Sequence, residues 1–550
     1  MAGALTGRFG ALRRHRRLLL ALAVVALLAE MAIAMVTTAV EQTPTTDEPV
    51  YVGAGVVYLR QHSLRYNPEH PPLGKLIIGA GALFADTRLD PAFAGSQESV
   101  GQHLLYESGN DAWRLMLLAR LPVIGLTLLF GLVIFAFAAD LVGPVNGLVA
   151  LVLYAFSPDI IAHGSLATLD VPTAGFLLTS AWSVWRARRR PLRYLPLAGV
   201  ALGAAVATKM NALAAVPVLL GLVIVSVWYA GRPHRTGPRG TTRLIALGVV
   251  AAAGVALITV VVVWASYLAV DPRLRWPTPG HVPVIHGLRG LLADLLPFPE
   301  PYRDGLRIQF GFEDSTFGGF LFGRHYLGSL WYYLPAALLV KTPLGMLALW
   351  AAGTVAMLRA PTLRPAAPYV LLPTAVLLAV ALTGARDFGV RYAIFVPMFL
   401  SVAAAGVAAF RWRWTPVVTA ALLLFVAVGS LRAYPYYLPY SNEAFGGPSK
   451  TYLRLHDSNV DWGQDLGRLA DRLRQRYAGR RIWLVYKGGG RPSYYGIDAS
   501  DPLKAPPDQV HGLLVVSDSQ IDKAEGRLAA LIHGSMPIDE VGHSITIYRR

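Results

Sequence analysis

Residues 18–40 read LLLALAVVALLAEMAIAMVTTAV, directly after Arg13, Arg14, Arg16 and Arg17. A helix needs about 20 apolar residues to cross the roughly 30 Å hydrocarbon core of a bilayer. This run supplies them with one charge, Glu30. A basic flank before an apolar centre also describes a secretory signal. The run has no clean small-residue cleavage site and many similar runs follow, so it reads as a retained first span. The others fall at 114–139, 143–157, 167–185, 194–208, 210–229, 243–267, 331–358, 367–384, 389–409 and 414–431, about eleven in all.

The composition agrees. Of 550 residues, 54% are hydrophobic and 15% charged, against roughly 25% charged in soluble domains. The mean hydropathy is +0.45. The net charge is +17, from 50 Lys and Arg against 33 Asp and Glu. A basic balance can mark a nucleic-acid binder. Here the cations sit in short tracts between apolar runs, such as Arg186–Arg190, which is the signature of membrane orientation instead. There is no cysteine, which excludes disulfides, thiolate metal sites and cysteine nucleophiles.

Cytoplasmic loops are enriched in Lys and Arg. With the N-terminus in the cytoplasm, the inside loops carry Arg186, Arg188, Arg189, Arg190 and Arg193, then Arg232, Arg235, Arg239 and Arg243, then Arg359 and Arg364, then Arg411 and Arg413. The tight turn near Asp140 adds none. Eleven spans then leave the C-terminus extracytoplasmic. Three long segments lie outside: 41–113, about 268–330, and the tail 432–550. In the first, Leu73–Phe84 is apolar but too short to span, so it reads as an interfacial or re-entrant helix. The second, rich in Pro, Arg and aromatic residues, reads as lying against the membrane. In the tail, strand patterns at 482–487, 512–516 and 544–548 alternate with helix patterns at 464–477 and 521–533. The expected fold is an α-helical polytopic membrane domain, 1–431, followed by a small extracytoplasmic α/β domain, 432–550.

The residues able to do chemistry gather on the outside. Thr45-Thr46-Asp47-Glu48 opens the first outside loop. Paired carboxylates there can deprotonate a hydroxyl, coordinate a metal, or cap a helix through backbone N–H groups. Glu69-His70-Pro71-Pro72-Leu73-Gly74-Lys75 follows and puts a His and a Lys at the start of the interfacial helix. Such cations can hold a phosphate or snorkel to lipid headgroups. Asp170 stands at the outer entrance of a span, where an acid is costly unless paired or functional. Lys209, Lys341, Arg386 and Arg391 flank other spans on the same side. Glu30 lies inside the first span and is a functional candidate by depth alone. In the tail, Asp457-Ser458-Asn459-Val460-Asp461-Trp462-Gly463-Gln464-Asp465 suits sugar recognition, and turns and caps slightly better. Gly488-Gly489-Gly490 lacks phosphate-loop context and reads as a loop.

Together these residues resemble the lipid-linked-sugar glycosyltransferases of the GT-C fold, in the protein O-mannosyltransferase and aminoarabinose-transferase superfamily (family 39). The resemblance rests on Asp47-Glu48 after the first helix, His70 to Lys75, Leu169-Asp170-Val171-Pro172, Trp331-Tyr332-Tyr333-Leu334-Pro335 before Lys341-Thr342-Pro343, Arg391-Tyr392 with Pro397, and the tail's Tyr440-Ser441-Asn442-Glu443 and Asp457–Gln464. It extends over nearly the whole chain. It implies that a polyprenyl-phosphate sugar enters from the bilayer and is transferred with inversion. The acceptor would be a hydroxyl of a protein, lipid or glycan. The resemblance makes Asp47 the base, with Glu48 beside it. It makes His70, Lys75, Lys209 and Arg391 the phosphate-facing cations, with Asp170, Lys341 and Arg386 as further site candidates. The second outside loop is too short for the β-trefoil module of eukaryotic-type protein O-mannosyltransferases, which weakens a protein acceptor. Mannose is the first expectation for the sugar. No cofactor follows from the residues; a divalent cation has room beside Asp47 and Glu48, where spacing shows no closed metal site.

Two other classes compete with a transferase. A transporter or flippase for lipid-linked sugars usually shows internal repeats and midplane polar sites; here only Glu30 lies deep. A non-catalytic scaffold would merely present the tail.

Overall fold

The computed structural model describes residues 2–231, 238–276, 279–521 and 523–550. The inside cations expected at Arg232 and Arg235 lie outside these residues. The chain is a multi-pass α-helical membrane protein with a small mixed sheet near its C-terminus. Among the described residues, five helices are long and apolar enough to cross a membrane: His15–Glu41, Ala112–Val142, Met210–Gly231, Gly240–Val270 and Thr415–Ala433. Leu19, Val25 and Ile33 on the first helix are exposed, as a lipid-facing stripe requires.

The remaining expected spans differ from straight helices. Pro144–Ala155 and Pro158–Gly164 form a pair bent by 62°, and Tyr333–Lys341 and Leu344–Arg359 a pair bent by 118°. The apolar run at 331–358 is therefore two helices. The break falls at Thr342-Pro343, where proline cannot donate and clashes with the preceding turn. Pro191–Val206, Ala367–Ala381 and Phe395–Ala409 are shorter apolar helices. The last of these follows a 3-10 turn at Val390–Ala393 and itself ends in one at Ala405–Ala409. Asp170–Ala187 replaces the span expected at 167–185. Against the expected count of about eleven, the described residues provide five long apolar helices, or up to seven crossings if each bent pair is one span.

The long loops assemble at one end of the bundle. In the first, Glu48–Gln61 and Pro72–Leu83 are helices packed on each other, with Ile78 and Ala82 fully buried. The second carries Gly287–Leu295, Glu300–Glu313 and an unexpected hairpin, β1 (Gly318–Leu321) with β2 (Arg324–Leu327). The opposite end holds the short basic turns. There Asp140, which adds no cation, instead binds Arg186 at 2.6 Å, and Arg188 donates to the Pro365 carbonyl.

In the tail, residues 434–465 carry only short 3-10 turns and lie against the bundle. A four-stranded sheet follows in the order β3 (Ile482–Val485), β4 (Leu513–Ser517), β6 (Ile545–Arg549), β5 (Met536–Val541). β3 and β4 are parallel and the others antiparallel. β5 escapes sequence reading because its polar Asp539 and Glu540 break the apolar alternation. Helix Leu466–Arg476 covers the sheet through Leu466, Leu469 and Leu473.

Candidate functional site

Adjacent acids in the first loop meet different fates. Helix Glu48–Gln61 starts at the pair, with Asp47 in the N-cap position and proline in its first turn. Asp47 makes no capping bond. Its carboxylate instead accepts a 2.6 Å bond from Arg391 Nη1, and the Asp47 side chain keeps 28% of its exposure. Glu48 points the other way. One of its oxygens accepts from Arg120 Nε at 2.7 Å and the Ala167 N–H at 2.8 Å. The other accepts from Arg120 Nη2 at 2.7 Å, the Thr45 N–H at 2.9 Å and the Thr45 hydroxyl at 3.1 Å. Both Glu48 and Arg120 are fully buried. Burial alone would raise the Glu48 carboxyl, but Arg120 and these N–H donors hold it below the usual carboxylate range. Asp47 and Glu48, expected as base and neighbouring acid, engage different cations, Arg391 and Arg120. Among the described residues, no three His, Asp or Glu side chains group to hold a metal.

Arg391 rises from the 3-10 turn after Gly389, whose φ of 141° is one that L side chains rarely adopt. Its guanidinium stacks 4.3 Å from the Trp462 ring and 5.1 Å from Tyr392. Its Nε is buried without a hydrogen-bond partner. Lys209 follows the end of helix Pro191–Val206 and binds Asp170 at 2.5 Å. Asp170 opens its helix, yet its side chain serves Lys209 and not a cap. A small cavity of about 20 Å³ lies between these groups. Asp170, Lys209, Arg391 and Tyr392 line one part of it; Leu177, Leu377, Ile394 and Phe395 line another.

The other expected cations stand apart from this cavity. Lys75 is fully buried and spends its ammonium on the Asn67 and His70 carbonyls, each at 2.6 Å, and on Asn67 Oδ1 at 3.2 Å. His70 packs its ring 6.0 Å from Tyr51. Burial, with Lys209, Lys75, Arg386 and Arg391 nearby, holds it well below the usual histidine range. Lys341 donates to the Leu438 and Asn459 carbonyls and lies 3.5 Å from Asp159. Arg386 binds Gln309 and Glu313. Glu30, within the first helix, keeps one buried oxygen without a partner, away from the cluster.

Tyr392, which lies under both cations, and Trp462, which stacks on Arg391, are not among the expected site residues, although both stand in stretches the sequence singles out. The Arg391-Tyr392 dipeptide was a signal for the first. Trp462 had none beyond its polar neighbours. Within that tail stretch, Asn459, Asp461 and Gln464 are buried in local bonds, as turn-forming residues would be. Burial pushes the Asp461 carboxyl up to about 7 against the pull of Lys487. The glycine run is a close-packing device: a Cβ on Gly489 would sit 2.4 Å from the Thr45 carbonyl.

Residues 24–271 match the family described as Dolichyl-phosphate-mannose-protein mannosyltransferase. No curated protein is significantly similar to the chain in sequence. The yeast (S. cerevisiae) protein O-mannosyltransferase Pmt1-Pmt2 complex bound to the sugar donor is 16% identical with a TM-score of 0.36, over 46% of this chain; the match spans 34% of that chain's length. ArnT from Cupriavidus metallidurans in the apo state is 16% identical, with a TM-score of 0.49 over 96% of this chain and 97% of that one. The archaeal oligosaccharyltransferase AglB from Archaeoglobus fulgidus is 10% identical, with a TM-score of 0.42 over 83% of this chain and 58% of that one.

Proposed function

We propose, from the match of residues 24–271 to the dolichyl-phosphate-mannose-protein mannosyltransferase family, that the chain moves a hexose such as mannose from a polyprenyl-phosphate donor to an acceptor hydroxyl. The reaction takes place on the extracytoplasmic face of the cell membrane, with the N-terminus cytoplasmic and the C-terminus outside. The acceptor is a protein, lipid or glycan hydroxyl. Asp47 is the base: it takes the acceptor proton as the acceptor oxygen bonds to the sugar's anomeric carbon. The bond from that carbon to the phosphate oxygen breaks on the opposite face, so the centre inverts. The leaving polyprenyl phosphate keeps the bonding pair, and Arg391 and Lys209 neutralise its charge.

The observation that carries this reading is the unpartnered, buried Nε of Arg391 beside a partly exposed Asp47. A guanidinium has five donors in a fixed fork that suits phosphate, and a buried donor without a partner is costly. The lining chemistry supports the donor class, because Lys209 and Arg391 beside Leu177, Leu377 and Phe395 suit a phosphate next to a prenyl chain. Glu48 is assigned a positioning role through Arg120. Lys75, Lys341, Arg386 and Asp170 are assigned to holding the scaffold and the cations.

The test is transfer of labelled sugar from polyprenyl-phosphate mannose to a panel of acceptors by the full chain in lipid nanodiscs. Transfer abolished in a folded Asp47→Asn variant is expected. Full transfer by that variant sinks the base. Lipid translocation without transfer replaces the reading with a flippase.

A further inference from the structure

Asp47 and Arg391 lie 344 residues apart in the chain. They sit in separate loops, and among the described residues no backbone hydrogen bond joins those loops directly. A third segment, residues 456–466 of the tail, bonds to both. Towards Asp47, the Thr46 N–H donates to the Trp462 carbonyl at 3.0 Å and the Thr43 N–H to the Gln464 carbonyl at 2.9 Å. Towards Arg391, the Val390 N–H donates to Asn459 Oδ1 at 3.0 Å, and the Ser458 hydroxyl to the Phe388 carbonyl at 2.6 Å. Lys341 fastens the segment from below by donating to the Asn459 carbonyl at 2.9 Å.

The segment is stiffened from within. Gln464 accepts from the Trp462 N–H at 2.8 Å and donates to the Val460 carbonyl at 3.0 Å. Glycine at 389 lets it come close, since a Cβ there would lie 2.3 Å from Ser458 Oγ. The Trp462 indole, 1% exposed, covers one face of the Arg391 guanidinium. That contact fixes the plane of the guanidinium, which decides where the free Nε points.

We infer that Asn459 and Trp462 are positioning residues of the transfer reaction: residues 456–466 form a strap that sets Arg391 against Asp47, and so the C-terminal domain completes the site. The inference rests on the reading of Arg391 as the phosphate-facing group. A displacement of about 1 Å at a reacting centre costs on the order of a hundredfold in rate, which gives such a strap its leverage.

The experiment is a double-mutant cycle on the full chain in nanodiscs, with undecaprenyl phosphate binding and sugar transfer both measured. Trp462→Leu removes the aromatic face but keeps every backbone bond of the strap. It should weaken undecaprenyl phosphate binding by roughly tenfold to thirtyfold, the scale of a desolvated cation–π contact, and Trp462→Phe should recover most of that. In an Arg391→Lys background, Trp462→Leu should cost under about threefold, because coupled residues are not additive. Equal losses in both backgrounds, or no loss in either, overturn the strap. If Asp47→Asn transfers sugar normally while the coupling persists, the base assignment falls and the strap stands. Failure of the unaltered protein to bind undecaprenyl phosphate overturns both.

Discussion

Asp47 and Glu48 are neighbours in sequence, each paired with an arginine, and they make opposite sites. Glu48 and Arg120 are 0% exposed, and both Glu48 oxygens have protein donors. Asp47 is partly exposed, and its arginine keeps a buried donor without a partner. The difference lies in saturation. A saturated buried pair offers a ligand nothing and is costly to disturb; an unsaturated one is already short of a partner. An acid–arginine pair is therefore no guide to chemistry until its remaining donors and acceptors are accounted for.

The comparison breaks first at the closed pair. Removing one partner of a buried ion pair costs about 3–5 kcal/mol, so Glu48→Ala or Arg120→Met should leave little folded protein, read as yield and thermal unfolding in detergent. A folded, active Glu48→Ala would erase the contrast. At the open pair, Asp47→Asn should fold normally and lower transfer by roughly a hundredfold to ten-thousandfold, the range for a general base. Arg391→Lys keeps the charge but loses the fork. Donor affinity should fall by roughly tenfold to a hundredfold, as expected for one charged hydrogen bond of about 1.5–3 kcal/mol.

Three smaller effects sharpen the contrast. Lys209→Met should weaken undecaprenyl phosphate binding about tenfold. Lys75→Met should alter it by less than about twofold while lowering thermal stability, because the Lys75 ammonium is already spent on Asn67 and His70. The smallest is a pH effect in the tail. The Asp461 carboxyl is raised from its ordinary value to about 7. The unfolded chain then releases its proton at lower pH than the folded one, so the stability Asp461 confers is full below its ordinary range and lost as pH rises through about 7. The unfolding temperature should decline between pH 5 and pH 8, and Asp461→Asn should flatten that decline. Glu48 has the opposite sign: its carboxyl is lowered, so its contribution is present above the ordinary carboxylate range and is lost as pH falls.

Long apolar runs were legible because period and length alone decide membrane crossing. Residues 18–40 needed nothing from the rest of the chain. The breaks at Ser157-Pro158 and Thr342-Pro343 were harder, since proline marks a stop without giving an angle. The tail strands with alternating apolar residues could be read; β5 could not. In the site, residue type drew attention to Asp47, Lys209 and Arg391. The same signal drew equal attention to Lys75, Lys341 and Arg386, which the structure spends on carbonyls and on Gln309 and Glu313.

The sequence by itself determined that this chain lives in a membrane and carries its ionisable residues at the ends of apolar runs, because burial of long apolar stretches is a local property summed along the chain. Only the tertiary structure decided which acid stays partly exposed. That choice depends on donors brought from Arg120, Ala167 and Arg391, and on the Trp462 ring that stacks on Arg391, residues scattered across the chain, and hydrogen-bond saturation has no local pattern in sequence.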